Sequence, residues 1–355
     1  MDNSTTGSPC SLHYEYYNCT GPSLSEEDRA LTLAIIIFFI IATILGNLLI
    51  IVAIAFFRQL QTHANTLALS LAVSDLLIGL LIMPFSMMHA VYECWFYASF
   101  FCHLHYFLDY TLTTSSIIHL GCIAYDRYVA ICDPLRYPTR VTDRTVAVML
   151  ALCWIGAAIF TTPTLLSLSP TLSRGTIERG GCPDSCMFTV DLGLHFAYGM
   201  CPYFLSMFII LLIYSKIYRV ARRQARRVTA GVPIHAQRVE VANGASSGGG
   251  RDGDEAAKRW KSTMKREHNA AKTLGSIIGC FMLSWLPYYI LVIVFPFYKN
   301  TSTAYEVVCW IGYISSTVNP ILYASINRPF RTAFGRILRL DFFSAEARHL
   351  ELSKH

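Results

Sequence analysis

Residues 31–57 read LTLAIIIFFIIATILGNLLIIVAIAFF, without a charged side chain. About 20 predominantly apolar residues cross the hydrocarbon core of a bilayer, so this run predicts a membrane-spanning helix. Six further apolar stretches follow at roughly 67–92, 100–133, 145–168, 192–219, 270–295 and 303–326. Each is expected to be helical, because an open backbone in lipid leaves its polar groups unsatisfied. The whole chain agrees: 54% of it is hydrophobic and 15% charged, where soluble proteins carry about a quarter charged residues. The expected fold is an all-α membrane protein, a seven-transmembrane helix bundle spanning 31–326, with residues 1–30 as an extracellular tail and 327–355 as a cytoplasmic end.

Lysine and arginine orient the bundle. With seven spans and the N-terminus outside, only Arg29, Arg174, Arg179 and Lys299 of the 29 basic residues fall on the outer side. That asymmetry predicts an outer N-terminus in the plasma membrane. The net charge of +6 is this cytoplasmic excess and does not point to nucleic acid. No cleavable signal peptide is apparent in the polar residues 1–30, so the first helix is expected to direct insertion.

Cys10, Cys19, Cys94, Cys102, Cys182 and Cys186 all fall on the oxidising outer side, an even number compatible with full pairing. Asn3 and Asn18 stand in glycosylation sequons of the outer tail, and Asn300 in a less favourable one near the membrane. No cysteine follows Cys309, so no palmitoyl anchor is expected in the C-terminal tail. The long third cytoplasmic loop, about 220–268, opens with Ala221-Arg-Arg-Gln-Ala-Arg-Arg-Val228, which should extend the fifth helix. The Gly/Ser run 244–250 inside it has the composition of a disordered segment. After the seventh span, Phe330, Phe334, Ile337 and Leu338 share a helical face apart from Arg331, Arg336 and Arg339. That pattern predicts an amphipathic helix lying on inner-leaflet lipid.

Polar groups at membrane depth are costly and therefore informative. Asp75, mid-helix in Leu71-Ala-Val-Ser-Asp75, reads either as a carboxyl kept neutral by burial or as a sodium or proton site with Ser116 and Asn319. No other cofactor or metal is expected. Asp126-Arg127-Tyr128 closes the third span at the inner face, where it either snorkels to the interface or serves as a switch. Pro84, Pro163, Pro202, Pro287 and Pro320 each remove a backbone hydrogen bond within a span. Pro287 follows Trp285, so a bend there would let the inner half of the sixth helix swing while its outer half holds a ligand.

Together these pieces resemble the rhodopsin-like, G-protein-coupled receptor family over essentially residues 30–340. The matching positions are Gly46-Asn47, Leu71 to Asp75, Asp126-Arg-Tyr128, Trp154, Ser284-Trp-Leu-Pro287 and Asn319-Pro-Ile-Leu-Tyr323. The resemblance implies that Arg127 pairs with Asp126 and Glu267 at rest. On activation it is released toward Tyr214 and Tyr323, with Pro320 in the seventh-helix motif, opening an inner cleft for a heterotrimeric G protein. It also implies a Cys102–Cys186 bridge. The remaining four cysteines allow three arrangements, of which Cys10–Cys182 with Cys19–Cys94 is favoured here.

Asp109 lies two helical turns below Cys102, roughly 10 Å inward. It sits among Phe107, Leu108, Tyr110 and Leu112. An isolated carboxylate at that depth must lose its charge or find a cation, and no Lys or Arg of an outer half-helix supplies one. The simplest cation is a protonated amine ligand. Trp285, Tyr288, Tyr289, Trp310 and Tyr313 are candidate walls, since aromatic faces attract ammonium groups. Tyr110, Thr113 and Tyr198 complete the candidate binding set. The competing reading is a carboxyl hydrogen-bonded to Tyr313. Glu306, Trp310 and Tyr313 are spaced i, i+4, i+7, so Glu306 reads either as a solvated rim residue or as a second carboxylate, with Asp191 a weaker candidate. Two carboxylates along one pocket would favour diamines or polyamines.

An aspartate at this place resembles the aminergic receptors. Within them, Cys94-Trp-Phe-Tyr97, Cys132-Asp-Pro-Leu-Arg-Tyr137, Lys272-Thr-Leu-Gly275 and Cys182-Pro-Asp-Ser-Cys186 resemble trace amine-associated receptors. Asn327, Pro329 and Ser315 depart from that group's seventh-helix pattern, and Pro202 falls one turn before Ser206, where proline is usual. The resemblance implies a stimulatory G protein as partner. A serotonin-like monoamine receptor and a peptide receptor of the same fold are the alternatives. A retinal receptor would need a lysine in 303–326, which has none. A seven-helix hydrolase would need clustered metal ligands, whereas His103, His105, His119 and His195 are scattered. A transporter would need paired repeats, which are not found. No enzyme activity is expected.

Overall fold

The computed structural model describes residues 24–92, 95, 97, 99–167, 196–229, 275–293 and 302–339, and among these every regular element is helical. The first helix, Glu26–Phe56, starts five residues before the apolar run. Ser25 is its N-cap, accepting a hydrogen bond from the Asp28 amide at 3.2 Å, and Glu26, Glu27 and Asp28 occupy the first turn. A capping serine and acidic first turn satisfy free amides and complement the helix dipole. The helix therefore begins in the polar segment ahead of the apolar run. Thr62 and Thr142 cap the second and fourth helices in the same way, which begin at His63 and Asp143.

The second helix, His63–Tyr92, carries a π turn at Ile78–Ile82 before Pro84. The fifth, Cys201–Thr229, follows another at Phe196–Met200 before Pro202. Proline lacks the N–H that closes an α-turn and its ring presses on the preceding carbonyl, and a π turn accommodates both. Pro202 one turn before Ser206 is thus absorbed by a local widening of the helix. The fifth helix runs on through Arg222, Arg223, Arg226 and Arg227, as the basic run suggested.

Six helices are long and apolar enough to cross a membrane: Glu26–Phe56, His63–Tyr92, Asp143–Pro163, Cys201–Val220, Gly275–Ile293 and Ala304–Ile326. The third, Ser99–Cys132, has 34 residues but is more polar. Its place in the bundle explains that polarity. It packs against the second, fourth and fifth helices, and buries Ser115, Ser116, His119 and Asp126 among them. The first and fourth helices instead turn Ile35, Phe38, Leu45, Leu152, Ile155 and Ile159 outward, as lipid-facing helices do. The last helix, Arg328–Leu338, buries Phe330, Ala333 and Phe334. Phe330 packs on Tyr323 with ring centroids 4.7 Å apart. Leu338, expected on this face, is exposed.

Candidate functional site

The outer half of the bundle encloses a cavity of about 700 Å³ between the second, third, fifth, sixth and seventh helices. Asp109 lines it from the third helix. The Tyr313 hydroxyl donates to its Oδ2 at 2.7 Å, so the tyrosine contact weighed as an alternative to a ligand does form. It occupies one oxygen only. Oδ1 is buried and makes no well-aligned hydrogen bond among the described residues, with the Thr113 hydroxyl close enough to interact with the carboxylate, and Trp285 Nε1 is buried without a partner among them. No lysine or arginine is among the described lining residues. A buried carboxylate oxygen left unpaired costs free energy, so the floor of the cavity suits a cationic hydrogen-bond donor.

Aromatic rings frame that floor. Trp285 meets Tyr313 edge to face at 6.0 Å and Tyr288 at 5.7 Å. Tyr289 stacks on Tyr203 at 4.0 Å, and Tyr110 completes the wall. Trp285 lies against the seventh-helix backbone at Gly312, where a Cβ would fall 2.9 Å from its ring. Of the expected binding set, Asp109, Tyr110, Thr113, Trp285, Tyr288, Tyr289, Glu306 and Tyr313 converge on the cavity. Trp310 is not among its described lining residues; it packs edge-on against Tyr313 at 5.6 Å. The cavity-facing stripe runs through Tyr305, Cys309 and Tyr313, an i, i+4, i+8 series that rotates Trp310 away. Tyr198 lies on the Phe196–Met200 turn, with its side chain outside the described residues, as is Asp191.

The mouth holds residues that spacing did not single out. Trp95 is buried against Phe101 and His105, at ring distances of 6.0 and 5.4 Å, and lines the cavity with Ser86, His89 and Tyr106. His89 Nδ1 lies 2.9 Å from Glu306 Oε1. Inward, the cavity continues past Ile117, Gly121, Cys122 and Tyr125 as an apolar crevice between the third, fourth and fifth helices.

The profile of the seven-transmembrane receptor (rhodopsin family) matches residues 46–323. The chain belongs to this receptor family. It is 42% identical over 350 residues to trace amine-associated receptor 365 of Petromyzon marinus, covering 97% of this chain and 89% of the relative. It is 33% identical over 341 residues to trace amine-associated receptor 1 of Homo sapiens, covering 91% and 93%. It is 35% identical over 314 residues to trace amine-associated receptor 13c of Danio rerio, covering 87% and 86%. The rhodopsin family is one of receptors, not enzymes, and this receptor is a multi-pass membrane protein.

At the receptor's inner end, Arg127 pairs with Asp126, donating through both Nε and Nη2. Tyr137, from the short helix Tyr137–Arg140, donates to Asp126 Oδ1 at 3.0 Å. The sequence reading missed this partner, although Tyr137 ends the stretch after the Asp-Arg-Tyr motif. Tyr128 half-buries beside Lys216, whose Nζ lies 5.9 Å from its ring centre. The hydroxyls of Tyr214 and Tyr323 are buried without a partner among the described residues. Glu267 lies outside those residues. Asp75 is bonded by Ser316 at 2.7 Å and Asn319 at 2.6 Å. Ser116 does not join them: its hydroxyl faces Ser74 at 3.4 Å, so Ser316 takes the place expected for Ser116. Cys102 is disulfide-bonded, to a partner outside the described residues. Cys10, Cys19, Cys94, Cys182 and Cys186, and the sequons at Asn3 and Asn18, also lie outside them.

Proposed function

We propose that this receptor, with its N-terminus outside the cell, recognises amines carrying two or more ammonium groups. One ammonium binds Asp109 and the other Glu306. The observation that carries this reading is the buried Oδ1 of Asp109, left open by Tyr313, in an aromatic-walled cavity whose described lining includes no lysine or arginine. The names of the relatives, trace amine-associated receptors, support amines as the ligand class. Glu306 lines the same cavity seven residues outward of Tyr313, roughly 10 Å along the helix axis. An extended diamine has about that reach, and each end would make a charge-assisted hydrogen bond. A single-charge, serotonin-like ligand is the second reading, favoured by the 27% exposure that the Glu306 side chain keeps at the cavity mouth.

The test is a second-messenger assay comparing 1,7-diaminoheptane with heptylamine. The diamine should be the more potent on the unaltered receptor. Glu306→Gln should weaken it by roughly 10-fold, the loss of one charge-assisted bond, and leave heptylamine unchanged. Equal losses for both amines, or none, would assign Glu306 to the rim and remove the second ammonium site.

Signalling, in this reading, proceeds through a stimulatory G protein. Arg127 is held at rest by Asp126 and Glu267 and is released toward Tyr214 and Tyr323. Glu267→Ala should then raise basal cyclic AMP several-fold at matched surface expression. Unchanged basal signalling would speak against the lock. A sodium ion near Asp75 also belongs to this proposal, with the Asp75 carboxylate and the Ser316 hydroxyl as oxygen donors of the kind a hard cation takes.

A further inference from the structure

His89 and Glu306 come from the outer ends of the second and seventh helices, 217 positions apart in the chain. Their side chains keep 17% and 27% of their exposure, so both are partly withdrawn from water, and both line the cavity that holds Asp109. A glutamate side chain has several rotatable bonds, and one that is free at a cavity mouth samples conformations that point into solvent. A ligand would have to suppress that freedom on binding. Here Nδ1 of a second-helix imidazole restrains it in advance.

We propose that His89 determines the selectivity of this receptor for diamines over monoamines, by holding the Glu306 carboxylate in the cavity. The inference rests on the reading above of Glu306 as the partner of a second ammonium. Nδ1 lies 2.9 Å from Oε1, and a carboxylate held through one contact keeps lone pairs for an ammonium.

The groups around the pair do not duplicate this role. Tyr305 and Cys309 flank Glu306 on the seventh helix, and Tyr106 and His105 face it from the third. Arg29 of the first helix is engaged over the Tyr92 ring at 5.5 Å. His105 is the other histidine on this wall, and its Nε2 is directed to Ser86 Oγ at 3.2 Å.

The test uses the full-length receptor, with surface expression measured in parallel, and the potency ratio of 1,7-diaminoheptane to heptylamine. Both amines are protonated, and any change at Asp109 affects both, so the ratio isolates the outer site. His89→Ala should lower diamine potency roughly 5- to 10-fold with heptylamine unchanged. His89→Asn, whose amide N–H can stand where the ring nitrogen stood, should restore most of the loss. An unchanged ratio in His89→Ala overturns the proposal, as does an equal loss of potency for heptylamine. Glu306→Gln, run alongside, separates the two readings. If it leaves the diamine preference intact, or the unaltered receptor has no such preference, the two-carboxylate reading fails and this one with it. If it abolishes the preference while His89→Ala does not, only the role of His89 fails.

Discussion

Asp109→Asn should raise the amine concentration needed for a half-maximal response by roughly 10- to 150-fold, the equivalent of a lost charge-assisted contact of about 1.5–3 kcal/mol. Asparagine is the sharper substitution because it removes the charge and keeps an oxygen for the Tyr313 hydroxyl, which donates to Asp109 at 2.7 Å. Asp109→Ala would also leave that hydroxyl without its acceptor, at a stability cost of about 1–3 kcal/mol, so a lower surface level would blur its meaning. Tyr313→Phe is the complementary change: it keeps the charge and should cost monoamines and diamines alike. Dose–response curves at matched surface expression provide the measurement. Unchanged potency in Asp109→Asn would remove the amine reading, because no other acidic side chain is described at that depth of the cavity, and would favour the peptide-receptor alternative.

The spans were legible because lipid imposes a simple rule on composition, and Asp109 because a charge at that depth stands out against it. Contacts between helices were less so. Sequence spacing placed Glu306, Trp310 and Tyr313 on one face, yet the helix is rotated so that Cys309 meets the cavity and Trp310 does not. A stripe at i, i+4, i+7 covers an arc, and only packing decides which edge of the arc faces inward. The same limit hid the His89–Glu306 pair and the choice of Ser316 over Ser116 beside Asp75, since each depends on how two helices tilt past one another. The early start of the first helix had a local signal, Ser25 three residues before Asp28, which a reading led by hydropathy passes over. The polarity of the third helix carried a different message: only a helix enclosed by others can place His119 and Asp126 at membrane depth.

Gly46→Val should unseat the contact between the first and seventh helices. A Cβ at Gly46 would fall 2.8 Å from Pro320 Cγ and 2.9 Å from Pro320 Cβ, closer than carbon atoms pack. The proline ring cannot turn aside as a flexible side chain would, and its surroundings are tied down. Asn319 bonds Asp75 at 2.6 Å, Asn47 donates to the Ser316 carbonyl at 3.0 Å, and Thr43 meets Thr317 at 2.5 Å. Either the helices separate and these buried hydrogen bonds lengthen, or the seventh helix shifts along with Ser316 and Asn319. Overpacking of this kind costs about 1–3 kcal/mol, and each broken bond adds about 1 kcal/mol. The expected result is an apparent melting temperature in detergent lower by roughly 3–10 °C and a surface level reduced several-fold. Gly279→Ala is the control: nothing lies within 4 Å of its Cβ position, and alanine in a helix is favoured over glycine by about 0.5–1 kcal/mol. That variant should melt no lower than the unaltered receptor. Equal melting of Gly46→Val and Gly279→Ala would mean that the first and seventh helices do not meet at Pro320. The hydrogen-bonded ties from Thr43 and Asn47 to the seventh helix would then lose their structural basis, and with them the placement of Ser316 and Asn319 around Asp75.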